Sequence, residues 1–255
     1  MRALKRAVGF LVLFAAVVLG AATLVSLGVN PPQVGIRPLG RYYLENSYFG
    51  EPSPKSPEAV TAIVWDYRGL DTIYEVTVFF LAIMGGLAIF RLEKAEKKKS
   101  ERPAELTLVV KLATKILAVL IIAVSASIAL HGHLTPGGGF QGGTALAIAP
   151  LLILVAYSRY VLEEKGLTYI KAIIARSLSL VLILSVVLAP ALYGYYLLQN
   201  QPFYPAEVSG QLVSGSLWFF NLFDYIAIGM GFTAIFLYLS IPEEVYKEEL
   251  EAVKE

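Results

Sequence analysis

LTLVVKLATKILAVLIIAVSASIAL, residues 106–130, decides the fold. A spanning helix crosses about 30 Å of hydrocarbon at about 1.5 Å per residue, so it needs roughly 20 mostly apolar residues. This stretch meets that length with only Lys111 and Lys115 charged. Working outward, five more runs qualify: about Ala7 to Leu27 and Leu70 to Phe90 before it, then Gly143 to Leu162, Thr168 to Leu198 and Leu217 to Ile241 after it. Such runs exceed the alternating segments of about ten residues that build a membrane barrel, and a helix satisfies its own backbone in lipid. The expected fold is all-α, an integral membrane protein with six transmembrane helices.

The composition points the same way. Of 255 residues, 56% are apolar and 16% charged, against about 45–50% and about 25% in soluble domains. The chain has no cysteine. That excludes disulfides, thiolate zinc sites and iron–sulfur clusters, so no cofactor is expected and any redox centre would belong to a partner. Lys plus Arg total 21 against 20 Asp plus Glu, and a net charge of +1 offers no basic face for nucleic acid.

Lys and Arg collect in cytoplasmic loops. Here Arg2, Lys5 and Arg6 precede the first span, and Arg91, Lys94, Lys97, Lys98, Lys99 and Arg102 crowd the second-to-third connection. Arg159, Lys165 and Lys171 mark the fourth-to-fifth connection, and Lys247 and Lys254 the tail, whereas the loops at 131–142 and 199–216 contain neither residue. The long 28–69 loop holds only Arg37, Arg41, Lys55 and Arg68. Both termini are expected to be cytoplasmic. The first span also reads as a signal peptide, with small residues at Ala21 and Ala22. Its apolar run exceeds the usual 7–15 residues of such peptides, which favours an uncleaved anchor.

The charged run RLEKAEKKKSERPAE, Arg91 to Glu105, breaks the composition. It divides the chain into a two-span unit at 1–92 with an outer loop at 28–69, a cytoplasmic linker at 93–105, and a four-span unit at 106–255. Pro150 and Pro190 fall inside spans and predict kinks, because each removes a backbone donor.

HGHLTPGGGFQGG, His131 to Gly143, joins the third and fourth spans. Gly137, Gly139 and Gly142 match G-x-G-x-x-G, but a dinucleotide site needs a preceding strand, and a membrane helix precedes here. Gly143 stands before Thr144 where a phosphate-binding loop requires Lys. Two readings remain for Gly137, Gly138, Gly139, Gly142 and Gly143. The run permits a sharp turn, and the four-residue spacing of Gly139, Gly143 and Ala147 admits close helix packing. Alternatively, unwound backbone lines a polar cavity. His131 and His133, spaced i, i+2 with no acid nearby in sequence, do not close a tetrahedral metal site. Either is a candidate proton relay, since imidazole titrates near neutrality.

DYRGLDTIYEVTVFF, Asp66 to Phe80, opens the second span. Thr72 and Glu75 fit a T-x-x-E capping box. Asp71 and Glu75 are i, i+4, so both carboxylates share one helix face and form a candidate cation entrance. Asp224 lies inside the last span, where a carboxylate is costly unless hydrated or paired; it is either functional or satisfied by Asn221 and a neighbouring subunit. Lys111, Lys115 and Arg176 are explained by snorkelling to the interface. Lys115, about 14 Å into its span by helix rise, is also a candidate counter-charge to a carboxylate. No G-x-S-x-G elbow or H-E-x-x-H helix is present, so the chain is not expected to be an enzyme by itself.

YLENS, Tyr43 to Ser47, with AIVWDYRGLDTIYEVTV, Ala62 to Val78, resembles the C-terminal end of the large A subunit of Mrp-type multisubunit sodium/proton antiporters. HGHLTPGGGFQGG, with SGSLWFFNLFDYIAIGMG from Ser214 to Gly231, resembles the four-span B subunit of the same family. The chain looks like a fusion of the two, as also found in archaeal membrane-bound hydrogenase and sulfane-sulfur reductase complexes. The resemblance implies an accessory membrane subunit of a complex-I-related assembly that contributes to sodium/proton translocation, its alternative being a scaffold of the same complex. Its implied partners are other Mrp-type membrane subunits, with hydrogenase- or reductase-like subunits beyond them. It also implies an ion-path role for Asp71, Thr72 and Glu75, matches Asp224 to the family's acidic residue in the last span, and admits no metal beyond transient sodium. The family's glycine motif usually has Asn after its His; Leu134 follows His133 here.

Overall fold

A computed structural model of the chain describes residues 2–27, 35–51, 53–89 and 106–241. The charged linker at 93–105 and the tail lysines Lys247 and Lys254 lie outside the described residues. In chain order the helices are α1 (Arg2–Ser26), α2 (Pro38–Asn46), α3 (Ala59–Ala62), α4 (Gly69–Ile89), α5 (Leu108–Leu130), α6 (Gly139–Tyr157), α7 (Arg159–Glu164), α8 (Tyr169–Leu192) and α9 (Ser216–Leu239). A π-helical turn, Ile63–Tyr67, links α3 to α4. Two short antiparallel strands, β1 (Glu207–Val208) and β2 (Gln211–Leu212), lie in the α8–α9 connection. Six of the helices are long and apolar enough to cross a membrane: α1, α4, α5, α6, α8 and α9. The protein is an all-α, multi-pass membrane protein.

Two compact units make up the chain, Met1–Tyr42 and Tyr43–Glu255. In the first, α1 exposes Phe10, Leu11, Val12, Leu13, Phe14, Val17 and Leu19 alike, as a helix surrounded by lipid would. In the second, α9 is the most buried span. It packs along α6 on one side and α8 on another; α5 packs on α6, and α4 on α9.

Glycines bring α6 against its neighbours. A Cβ at Gly143 would come within 2.7 Å of Ile228 Cβ and 2.8 Å of the Tyr225 carbonyl on α9. A Cβ at Gly142 would meet Ala129 Cβ and the Ser125 carbonyl on α5, each at 2.7 Å. The small-residue face therefore works as packing surface. The run is mostly helical rather than a loop: α6 begins at Gly139, not Gly143, and Gly138 alone in the run adopts a positive φ, 140°. The helix also ends sooner than expected. Ser158, at φ 99°, breaks it, and Arg159–Glu164 forms the separate α7.

The fifth span ends at Leu192 instead of Leu198, with Gly194 at φ 82° just beyond it. Pro190 has no N–H, which leaves the carbonyl of Val186, four residues back, without its helical donor. The Tyr204 hydroxyl donates to that carbonyl at 2.8 Å.

The glycine contacts make a direct comparison. Gly143→Val forces α6 and α9 apart and is expected to cost about 1–3 kcal/mol, as overpacking does, with a lower unfolding temperature in detergent. Gly85→Val, whose Cβ meets nothing within 4 Å, leaves the unfolding temperature near that of the parent.

Candidate functional site

The α5–α6 connection and the N-terminal ends of α4 and α9 meet at one end of the second unit, stitched by side chains onto backbone. Ser56 Oγ donates to the His133 carbonyl at 2.8 Å, and Thr61 Oγ1 to the Gly132 carbonyl at 2.5 Å. Ser214 Oγ reaches the Lys55 carbonyl at 2.8 Å. Asn200 clamps the entry to α9: its Oδ1 accepts from Ser216 N at 2.9 Å, and its Nδ2 donates to the Ser214 carbonyl at 3.2 Å. Below this roof, Trp65 of the π-helical turn stacks on Phe220 of α9, centroids 4.7 Å apart and planes 10° from parallel. Val76, Ile183, Val187 and Leu217 complete that apolar cluster and fix α4 beside α9.

The polar residues of α9 face this junction. Asn221 Oδ1 accepts from Gly139 N at 3.2 Å, while its Nδ2 has no partner among the described residues. Asp224 is 3% exposed, and its Oδ1 likewise has no partner. Asn221 therefore serves the start of α6 and does not satisfy Asp224. A Cβ at Gly139 would stand 2.9 Å from Asp224 Oδ2, so only glycine lets α6 pass the carboxylate so closely. From α4, Glu75 lies within Coulombic reach of Asp224. Glu75 itself sits on an exposed part of α4. The two acids bracket the α4–α9 seam, one enclosed and one open to whatever adjoins α4.

Other candidates fall elsewhere. Asp71 is exposed and paired with Arg68, whose Nε donates to Oδ2 at 2.8 Å. The Thr72–Glu75 capping box does not form, because α4 already begins at Gly69. Thr72 instead donates to the Val64 carbonyl of the π-helical turn. The side-chain cap in this region belongs to Glu58, which accepts from Thr61 N at the start of α3. Lys115 is exposed, with its ammonium 5.9 Å from the Tyr157 ring centre, and Lys111 is 5.7 Å from the same ring. No carboxylate among the described residues forms an ion pair with Lys115. The two histidines part company: His131 is exposed, with Nδ1 3.0 Å from the Ser127 carbonyl, while His133 is 2% exposed with Nε2 2.9 Å from the Leu212 carbonyl. Burial lowers the His133 pKa, which keeps the ring neutral. No group of three His, Asp or Glu among the described residues is placed to hold a metal ion.

Residues 109–234 match a family described as a domain related to the MnhB subunit of Na+/H+ antiporter. This part of the chain is similar to that family. Over 94% of its length the chain superposes on the whole of one chain from the membrane-bound sulfane sulfur reductase, an archaeal respiratory membrane complex, with TM-score 0.74 and 29% identity. It also superposes over 93% of its length on 26% of a chain in the Mrp complex from a Dietzia species, with TM-score 0.69; at 18% identity that likeness is one of fold. An uncharacterized protein of Methanocaldococcus jannaschii is 31% identical across 40% of this chain and 44% of its own length, so the chain spans under half of that relative.

The matched stretch contains Asp224, His131, His133 and the glycine run, whereas Asp71, Thr72 and Glu75 lie before it. The acid pair is thus built from inside and outside the matched stretch. Two groups escaped the sequence reading. Arg176, expected to snorkel, is enclosed, 1% exposed, with its guanidinium over Phe79 and Phe80. Its position about two turns into the fifth span was the available signal. Asp66 sits in the roof, and its carboxyl is hydrogen-bonded by the Asn200 side chain; burial pushes its pKa up from 3.8 to about 6. Nothing in the sequence places Asn200 beside it.

Asp66 generates a pH test. Its folded pKa exceeds the unfolded one, so the native state holds more protons between the two values and stability falls as pH rises through that window. The full benefit is present below 3.8 and is lost as pH passes about 6. Asp66→Asn is expected to flatten thermal stability in detergent across this range; a slope equal to the parent's assigns the dependence to another group.

Proposed function

We propose that Glu75 and Asp224 form a carboxylate station for a translocated cation, within a subunit of a Na+/H+ antiporter-related membrane module. The observation that carries this reading is the enclosed Asp224, its Oδ1 unpartnered, with Glu75 in Coulombic reach across the α4–α9 seam. Intramembrane carboxylates are costly and mark ion or proton paths when no structural partner satisfies them. Two carboxylates within Coulombic reach of each other repel, and a cation or proton shared between them relieves that repulsion.

Sodium takes several oxygen ligands, and this station supplies few. Glu75 is exposed, so an adjoining membrane subunit completes the coordination across α4. On this reading the chain is an accessory, non-catalytic subunit whose partners are other Mrp-type membrane subunits, with reductase- or hydrogenase-like subunits beyond them. Support for membrane-subunit partners comes from the multisubunit complexes that hold its structural neighbours. The positive-inside bias supports cytoplasmic termini, which puts the His133 roof outside. Asp71 and Thr72 then lie at the entrance, His131 beside it, and the lysines at the opposite interface.

Glu75→Gln and Asp224→Asn are each expected to reduce sodium-linked transport by the purified complex by roughly tenfold or more, the scale of losing a close charge in a low-dielectric site, with subunit composition unchanged. Normal transport by both variants refutes the station. Lower complex yield with unchanged transport per assembled complex assigns these acids to scaffolding.

A further inference from the structure

Arg176 is the bulkiest of the fully enclosed side chains among the described residues. Its guanidinium carbon stands 5.1 Å from the centre of the Phe79 ring and 5.2 Å from that of Phe80. Any side chain at Gly231 would collide with Nη1. Among the described residues, Nε and Nη1 have no hydrogen-bond partner and no ion pair includes this arginine. A guanidinium does not deprotonate in proteins. The bundle thus encloses a permanent positive charge that aromatic faces offset only in part.

Its depth follows from the two helices it touches. Gly231 is two turns beyond Asp224 on the same face of α9, about 10 Å along the axis. Phe79 is one turn beyond Glu75 on α4, and Ile83, one turn further, also borders Gly231. The charge lies on the seam that holds the acids, deeper in the bundle, with Phe79 between.

We infer that Arg176 is an electrostatic barrier that closes the far side of the carboxylate station to cations. The inference rests on the reading of Glu75 and Asp224 as an ion site. A cation held by the two acids meets a fixed positive charge within the next two turns, in walls that screen it poorly. Fixed arginines exclude cations from narrow membrane passages in this way. Passage straight through this chain is blocked, and the cation leaves across the exposed side of α4, where a neighbouring subunit receives it. Coupling to the partner is then enforced by the arginine, which contacts no ion itself.

The test uses the native complex in sealed vesicles, with passive efflux of radioactive sodium measured in the absence of turnover. Removing a unit charge about 10 Å away at an effective dielectric of about 20 changes cation partition by roughly tenfold. Arg176→Met, which keeps the packing length, and Arg176→Gln are expected to raise passive efflux on that scale, whereas Arg176→Lys keeps the vesicles tight. Adding Asp224→Asn to Arg176→Met should abolish the leak. A tight vesicle with either neutral variant overturns the barrier, as does a leak that survives loss of Asp224. If only Arg176→Lys assembles, the charge serves folding and the barrier is equally overturned. Normal sodium-linked transport by the single Glu75→Gln and Asp224→Asn variants, by contrast, removes the station itself.

Discussion

The backbone-to-backbone approach of α6 and α9 is the constraint on which the rest depends. Three glycines make it, Gly139 and Gly143 on α6 and Gly229 on α9; a Cβ at Gly229 would come within 2.6 Å of Leu146 Cδ2. Lipid tails give no hydrophobic drive for helices to associate, so the stabilisation comes from dispersion across these close surfaces and from interhelical hydrogen bonds. The bond from Gly139 N to Asn221 Oδ1 is one such link. Side chains on that face of α6 would hold the helices apart and open Asp224 to lipid. Packing and the placement of a charged group are here one structural decision.

A second layer fixes α4 to this pair. One side of helix α4 packs on the bundle through Val76, Phe79 and Ile83, and exposed apolar residues, including Leu70, Val78 and Leu81, line its other side. The connection before it adds further links. The π-helical turn directs Trp65 onto Phe220, and Ser56, Glu58 and Thr61 bind backbone groups of the His133 loop. Unpaired backbone polar groups at a membrane boundary are expensive, so these bonds hold the loop firmly. Glu75 is brought into reach of Asp224 both by its neighbour Val76 in the core cluster and by residues ahead of its own helix.

The spans were legible because apolar length is a strong signal, and the face Gly139, Gly143, Ala147 because small residues at four-residue spacing have few other uses. Helix ends were not. Ser158 takes a positive φ that residue type does not announce, and the break it makes separates α7 from a run that reads as continuous. The capping box at Thr72 failed because local pattern cannot foresee a π-helical turn, which lets α4 start at Gly69 and turns Thr72 back onto Val64. Asp224 and Glu75 could be singled out one at a time. Their proximity is tertiary, set by Trp65 and Phe220. The enclosure of Arg176 is tertiary in the same way: a long cation near a span end snorkels only if its face looks outward, and the orientation of α8 brings it under Phe79 and Phe80.

The charges inside the second unit are ordered along the α4–α9 seam. Asn221 comes first, then the Asp224 and Glu75 pair, then Phe79, then Arg176 beside Gly231. Each enclosed group would be costly alone, and the helix register keeps positive and negative charge a turn or more apart, too far for a direct ion pair. An enclosed carboxylate and guanidinium in contact would neutralise each other and leave nothing to attract a cation. Separated, they keep opposite potentials at different depths. A molecule selected only for stability would gain by closing that gap or by replacing both groups with apolar side chains, since enclosed ion pairs seldom exceed hydrophobic packing in stability. Two unpaired charges on one seam therefore add little to what holds the helices together, and it is on them that the proposed cation station rests.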